Sequence, residues 1–296
     1  MGPKPKKRRA AGAFSGFCRI VCKKVMDKCA NLSGRIVIDP GMRYNEKNAG
    51  KWGFTMNGLE RNVARLFSNE GKLFAMAMDL PQCGLVDGLE DPVSVIRARK
   101  DSKLDAFLIN PGVARLAEKE LLHKKIILRT SFGGTFLSTE FTNVNKNFIS
   151  PETALAMGAD AVVMMMVLGG ADYRSIQDAA EAIDGYHRLQ IPVVVEILAA
   201  DFTKTQTFDI QANGARVAAE LGADVVKAFY TENFETVVKN CPVPIVLAGG
   251  PKGADILDTA ADAVRCGVKG FCFGRNLFQS EDAAERIEKL YQILHK

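Results

Sequence analysis

Eight short apolar runs recur along this chain with helical stretches between them, and that alternation restricts the fold more than any single motif. The runs are residues 73–79, 105–110, 125–131 (KIILRTS), 161–168 (AVVMMMVL), 192–198 (PVVVEIL), 225–230, 244–248 (PIVLA) and 270–273 (GFCF). None alternates apolar and polar residues at period two. Continuous apolar runs of this length suit parallel strands covered on both faces. The stretches 88–100, 113–123, 173–189, 208–221, 255–266 and 281–294 carry helical spacing, and Gly158, Gly222 and Gly267 stand where helix C-caps belong. A further stretch, 56–67, sets Leu59, Val63, Leu66 and Phe67 on one helix face ahead of the first run. Eight β-α units joined by right-handed crossovers close into a (β/α)8 TIM barrel of about 250 residues. The chain is therefore expected to be α/β, a barrel with an extra N-terminal helix before strand one. The rival is an open doubly wound sheet. The count of eight, and the lack of a GxGxxG after the first run, favour closure.

Charge separates an N-terminal extension from the body. Residues 1–35 carry ten Lys or Arg against one acid, Asp27, so the formal +5 of the whole chain leaves −4 for residues 36–296. The extension, taken as residues 1–50, is expected to be flexible, and the barrel to occupy 51–296, starting near Trp52. The basic cluster at 4–9 cannot fold alone; a disordered tail and a targeting role, nuclear or other, both fit it. A myristoylation motif fails because position 6 is Lys. Residues 14–30 have the spacing of a short basic amphipathic helix. No run approaches the length of a membrane span. No basic–aromatic surface for nucleic acid is suggested for the body. Seven scattered Cys and three His make neither a disulfide framework nor a zinc site, which fits a reducing compartment and a cytoplasmic protein.

In a barrel, chemistry gathers at the C-terminal ends of the strands. Lys227 interrupts the sixth run and Glu196 the fifth. Two lone charges of opposite sign on neighbouring strands suggest a pair in the lumen, either catalytic or compensating. Burial tends to strip the proton from a lysine, and a neutral amine is a nucleophile toward carbonyls. Asp79 ends the first strand, as a general acid/base, a partner for Lys227 or a loop cap. Arg129, inside the third run, needs a buried acid such as Asp79 or Glu196, or an anionic ligand. Thr130, Ser131 and Tyr230 are candidates for holding substrate hydroxyls. Gly249, Gly250 and Lys252 follow the seventh run, and Gly274 and Arg275 the eighth. Paired glycines and cations after strands seven and eight fit a phosphate site. Met164, Met165 and Met166 read as core filling. His123, His187 and His295 fall on helices or at the tail and receive no chemistry.

The stretches ELGADVVKAFY, CPVPIVLAGGPK and GRNLFQS, with WGF…RNVARLF, MAMD and KIILRTS, resemble the archaeal-type class I fructose-bisphosphate aldolases. Within that family the chain is most similar to the branch of thiolases acting on 3-hydroxy-5-phosphonooxypentane-2,4-dione. The resemblance covers about residues 50–294. It implies a Schiff-base lysine at Lys227, the strand-one acid at Asp79, and phosphate loops at Gly249, Gly250, Gly274 and Arg275. It further implies a phosphorylated keto substrate such as fructose 1,6-bisphosphate, no metal or other cofactor, and a homo-oligomer. Two positions depart from the family pattern. Asp79-Leu80-Pro81 stands where Asp-His-Gly is usual, and Leu198 where the aldolases carry an acid/base tyrosine. These departures keep two alternatives open: acyl transfer to coenzyme A through the same lysine, and a barrel that serves as scaffold or sensor.

Overall fold

Strands covered on both faces need two cores, one inside the sheet and one outside it, and the chain supplies both. The computed structural model describes residues 57–138, 145–250 and 256–296. The expectations placed on residues 1–50, Trp52 and Lys252 lie outside the described residues. Eight parallel strands close into a barrel: β1 Leu73–Ala77, β2 Ala106–Ile109, β3 Lys125–Arg129, β4 Ala161–Leu168, β5 Val193–Ala199, β6 Val225–Phe229, β7 Ile245–Ala248 and β8 Gly270–Phe273. The ring closes where β1 pairs with β8, Leu73 opposite Gly270. A Cβ on Gly270 would sit 2.1 Å from the Leu73 carbonyl oxygen, so closure requires glycine there.

Successive strand residues alternate between the two cores. Phe74, Met76, Val162, Met164, Val193 and Val195 belong to the larger cluster between sheet and helices. Ala75, Ala77, Ala106, Leu108, Val163, Val194, Val225, Val246 and Cys272 form a separate cluster of mostly small side chains, the barrel lumen. Because both faces are apolar, the strands show no polar alternation in sequence, as read above.

The helices are α1 Gly58–Leu66, α2 Pro92–Arg99, α3 Pro111–Leu116, α4 Pro151–Ala156, α5 Asp172–Arg188, α6 Phe208–Glu220, α7 Phe234–Asn240, α8 Ile256–Cys266, α9 Arg275–Phe278 and α10 Ala283–Leu294. The extra helix α1 opens with a capping box between Asn57 and Glu60. Its Leu66 joins the lumen cluster, with Phe67 packed against it. Short α4, α7 and α9 were not read from sequence, since six, seven and four residues are too few to show a helical period. The helix expected over 113–123 stops at Leu116 and gives way to turns. The third run ends as barrel strand at Arg129; Ser131–Phe132 leaves to pair antiparallel with Lys146–Asn147.

An acid repeats at the base of the barrel. Asp105, Asp160 and Asp224 each precede an even strand, and each side chain accepts the amide of the preceding strand: Phe74, Ile126 and Val193, all at 2.8 Å. Lys269 takes the equivalent place before β8. Among the described residues no helix is long and apolar enough to cross a membrane, and the four cysteines described, Cys83, Cys241, Cys266 and Cys272, are free.

Candidate active site

Strand alternation puts Lys227 two residues beyond Val225 and Glu196 two beyond Val194, so both side chains enter the lumen above its small-residue floor. The register pairs Glu196 directly with Lys227. Lys227 Nζ lies 2.7 Å from Glu196 Oε1, and each residue is only 5 % exposed. The other carboxylate oxygen, Oε2, accepts from Arg129 Nη2. Arg129 is fully buried; its Nε donates to Asp79 Oδ2 at 2.6 Å, and its Nη2 donates to the same oxygen. Three strand residues and Asp79, just past the end of β1, thus form one buried chain, Asp79–Arg129–Glu196–Lys227, with no net charge when all are ionised. The lumen pair expected from two lone charges is present, and Arg129 takes both acids that the sequence offered it.

This pairing corrects the expected protonation of Lys227. Burial alone pushes a lysine toward the neutral amine. Here the Glu196 carboxylate outweighs burial and holds Lys227 above its ordinary value, at about 12. Burial likewise acts to raise Glu196, but Lys227 and Arg129 outweigh it and hold the acid down, near 2. Arg129 is raised by Asp79 and Glu196 against the pull of burial. The resting lysine is therefore an ammonium in contact with the base that can receive its proton. Cys272 of β8 shares the lumen; burial, partly offset by Lys227, pushes its thiol up to about 11 and keeps it protonated.

Several supporting residues carried no motif. Asn110, at the end of β2, donates to the Asp79 carbonyl at 2.9 Å. Gln211, a fully buried amide on α6, accepts the Phe229 amide at 2.9 Å and donates to the Thr205 carbonyl, tying the loop after β5 to the end of β6. A glutamine on an apolar helix face was the available signal. Ser131 is fully buried, and its hydroxyl accepts the Met165 amide at 2.9 Å. Thr130 donates to Asn147 Oδ1 at 2.9 Å. Both hydroxyls are thus engaged within the protein, that of Ser131 by the middle of β4. Met165 departs from core filling: it is part-exposed and lies opposite Glu196 in the register, while Met164 and Met166 are buried in the outer core.

The ends of β7 and β8 come together because the two strands pair, with Ala248 opposite Cys272. Asn276 Nδ2 donates to the Gly249 carbonyl at 2.6 Å, and Arg275 Nη2 to the Gly250 carbonyl at 3.3 Å. Gly250 adopts φ +61°, and a Cβ on Gly274 would approach the Ala77 carbonyl at 2.9 Å. Gly250 is thus favoured by its positive φ, and Gly274 by the close passage of β8 against β1. His187 pairs with Asp224 and His295 with Glu70, both outside the lumen cluster.

Comparison with known proteins adds three findings. The family model described as DeoC/LacD family aldolase matches residues 69–280. Two curated relatives are similar over most of their length. The 3-hydroxy-5-phosphonooxypentane-2,4-dione thiolase of Salmonella paratyphi A is 29 % identical over 80 % of this chain and 82 % of its own. The 2-amino-3,7-dideoxy-D-threo-hept-6-ulosonate synthase 1 of Archaeoglobus fulgidus is 31 % identical over 82 % of this chain and 93 % of its own. Among solved structures, a Schiff base forming fructose-1,6-bisphosphate aldolase superposes with a TM-score of 0.71 at 27 % identity, covering 80 % of this chain and all of that one.

Proposed function

The chain belongs to the DeoC/LacD family of aldolases, and from that premise we propose a class I enzyme whose Lys227 forms a Schiff base with a phosphorylated keto sugar such as fructose 1,6-bisphosphate. One observation carries the reading. Lys227 Nζ stands 2.7 Å from the Glu196 carboxylate in the buried lumen, a nucleophile and base within hydrogen-bond reach. The phosphate is assigned to the paired loops of Gly249–Gly250 and Gly274–Arg275, which would hold the substrate carbonyl over Lys227. Lys252, outside the described residues, is assigned to the same loop.

Condensation of an ammonium with a ketone gives an iminium and water with no net proton change. Glu196 need only relay. It takes the Lys227 proton, returns it to the carbonyl oxygen as the C–N bond forms, takes a second from nitrogen, and delivers that to the departing hydroxyl. The iminium then draws the electrons of the adjacent C–C bond as the hydroxyl beyond it loses its proton to Asp79. An aldehyde leaves and an enamine remains; reprotonation of its carbon and hydrolysis free the second product. None of these steps calls on a metal.

A second reading, acyl transfer to coenzyme A, is favoured by one feature: buried, apolar Leu198 offers no acid/base group at the end of β5. Borohydride trapping with dihydroxyacetone phosphate, read by intact mass and peptide mapping, tests the shared step. An adduct on Lys227, lost in Lys227→Met, is expected; a folded protein that traps no phosphorylated ketone rejects Schiff-base chemistry. Coenzyme A dependence of turnover separates the two outcomes.

A further inference from the structure

Arg129 is the centre of the buried chain of charges, and its donors are already committed. Nε and Nη2 donate to Asp79 Oδ2, and Nη2 also donates to Glu196 Oε2. Nη1 is buried and has no partner among the described residues. The side chain is fully enclosed. A phosphate clamp needs an accessible fork, and the fork here is spent on two carboxylates. Those carboxylates are the groups assigned to proton transfer, and they reach Arg129 from the end of β1 and from β5.

Resting on the Schiff-base reading above, we propose that Arg129 is a positioning residue: it fixes the Asp79 and Glu196 carboxylates in one orientation, leaving Glu196 Oε1 on the Lys227 ammonium and Asp79 Oδ1 unclaimed by the guanidinium. With Arg129, two cations balance two anions, and the proton passed from Lys227 to Glu196 moves within a neutral set. Without it, two buried carboxylates share one ammonium, and one of them takes up a proton from solvent at mildly acidic pH. A protonated Glu196 can no longer receive the Lys227 proton. The charged or titratable groups acting on Lys227 are Glu196 of β5, Arg129 of β3, Asp79 after β1 and Cys272 of β8. The cysteine is protonated throughout the relevant range, which leaves the carboxylates to set the profile.

The test measures the rate of borohydride-trapped adduct formation with dihydroxyacetone phosphate between pH 5 and 9, in wild type, Arg129→Met and Arg129→Lys. Wild type should be nearly flat on the acid side. Arg129→Met should gain an acid limb falling about tenfold per pH unit below its midpoint. Arg129→Lys keeps the charge but cannot span both acids, so its limb should lie at lower pH; it also carries the test if Arg129→Met does not fold. A folded variant with an unshifted profile, raising only the concentration of ketone phosphate needed for half-maximal trapping, overturns the proposal and makes Arg129 a substrate-binding group. No adduct in wild type overturns the Schiff-base reading and the proposal with it. An adduct in wild type with unchanged variant profiles overturns the proposal alone.

Discussion

Lys227 and Glu196 each look anomalous alone and become ordinary as a pair. A buried charge persists only when another charge and hydrogen bonds replace its lost water, and each residue supplies that for the other. The same argument predicts how they fail. Glu196→Ala strands Lys227 and half-releases Arg129, and should destabilise the protein by about 3–5 kcal/mol in urea denaturation. Glu196→Gln keeps the shape and a hydrogen-bond acceptor while removing the base. It should remain folded and slow adduct formation by about a hundredfold or more. Equal stability of Glu196→Ala and wild type would mean that the pair contributes nothing to folding.

At the scale of elements, the barrel is built by devices repeated from unit to unit. The aspartates before β2, β4 and β6 each fasten an even strand to the odd strand before it. GAD before β4 and GAD before β6 show this in sequence, whereas LDA before β2 is a weaker echo. Asp105→Ala should leave the Phe74 amide without its side-chain acceptor and cost about 1 kcal/mol, measured as a fall in the urea midpoint with unchanged m-value. Removing a fastener at the base should leave adduct formation at the opposite mouth unaffected. At that mouth the order of strands matters more than their composition. Gly249 and Gly274 meet because β7 and β8 pair, and Gly274 passes close to Ala77 because β8 closes on β1.

For the whole molecule, the buried charges set a pH window of stability. Glu196 is depressed in the folded state, so its contribution is full above the ordinary carboxylate value of 4.5 and is lost as pH falls toward about 2. Lys227 is raised, so its contribution is full below 10.5 and is lost as pH rises through about 12. Unfolding free energy should form a plateau between these limits and fall on both sides. In the Glu196→Gln, Lys227→Met double variant both slopes should flatten in a pH series of urea melts. Identical slopes would place the titrating groups elsewhere. The acidic balance of residues 36–296 against the basic first 35 divides the chain electrostatically, whereas the buried set Asp79, Arg129, Glu196 and Lys227 holds two charges of each sign.

The amino-acid order alone determined the barrel, since eight two-sided apolar runs separated by helical stretches have few ways to bury themselves. It also determined which residues were worth suspecting, because a charge inside such a run is costly unless something offsets it. Short helices escaped it, as periodicity needs length. What only the tertiary structure decided is partnership. Asp79, Arg129, Glu196 and Lys227 are up to 148 positions apart, yet the lumen makes them neighbours. The protonation of Lys227 followed from that partnership: the sequence showed a buried lysine, and burial alone implies a neutral amine. The carboxylate beside it reversed the sign, because a Coulombic contact at hydrogen-bond distance inside a low-dielectric lumen outweighs the desolvation that the burial imposes.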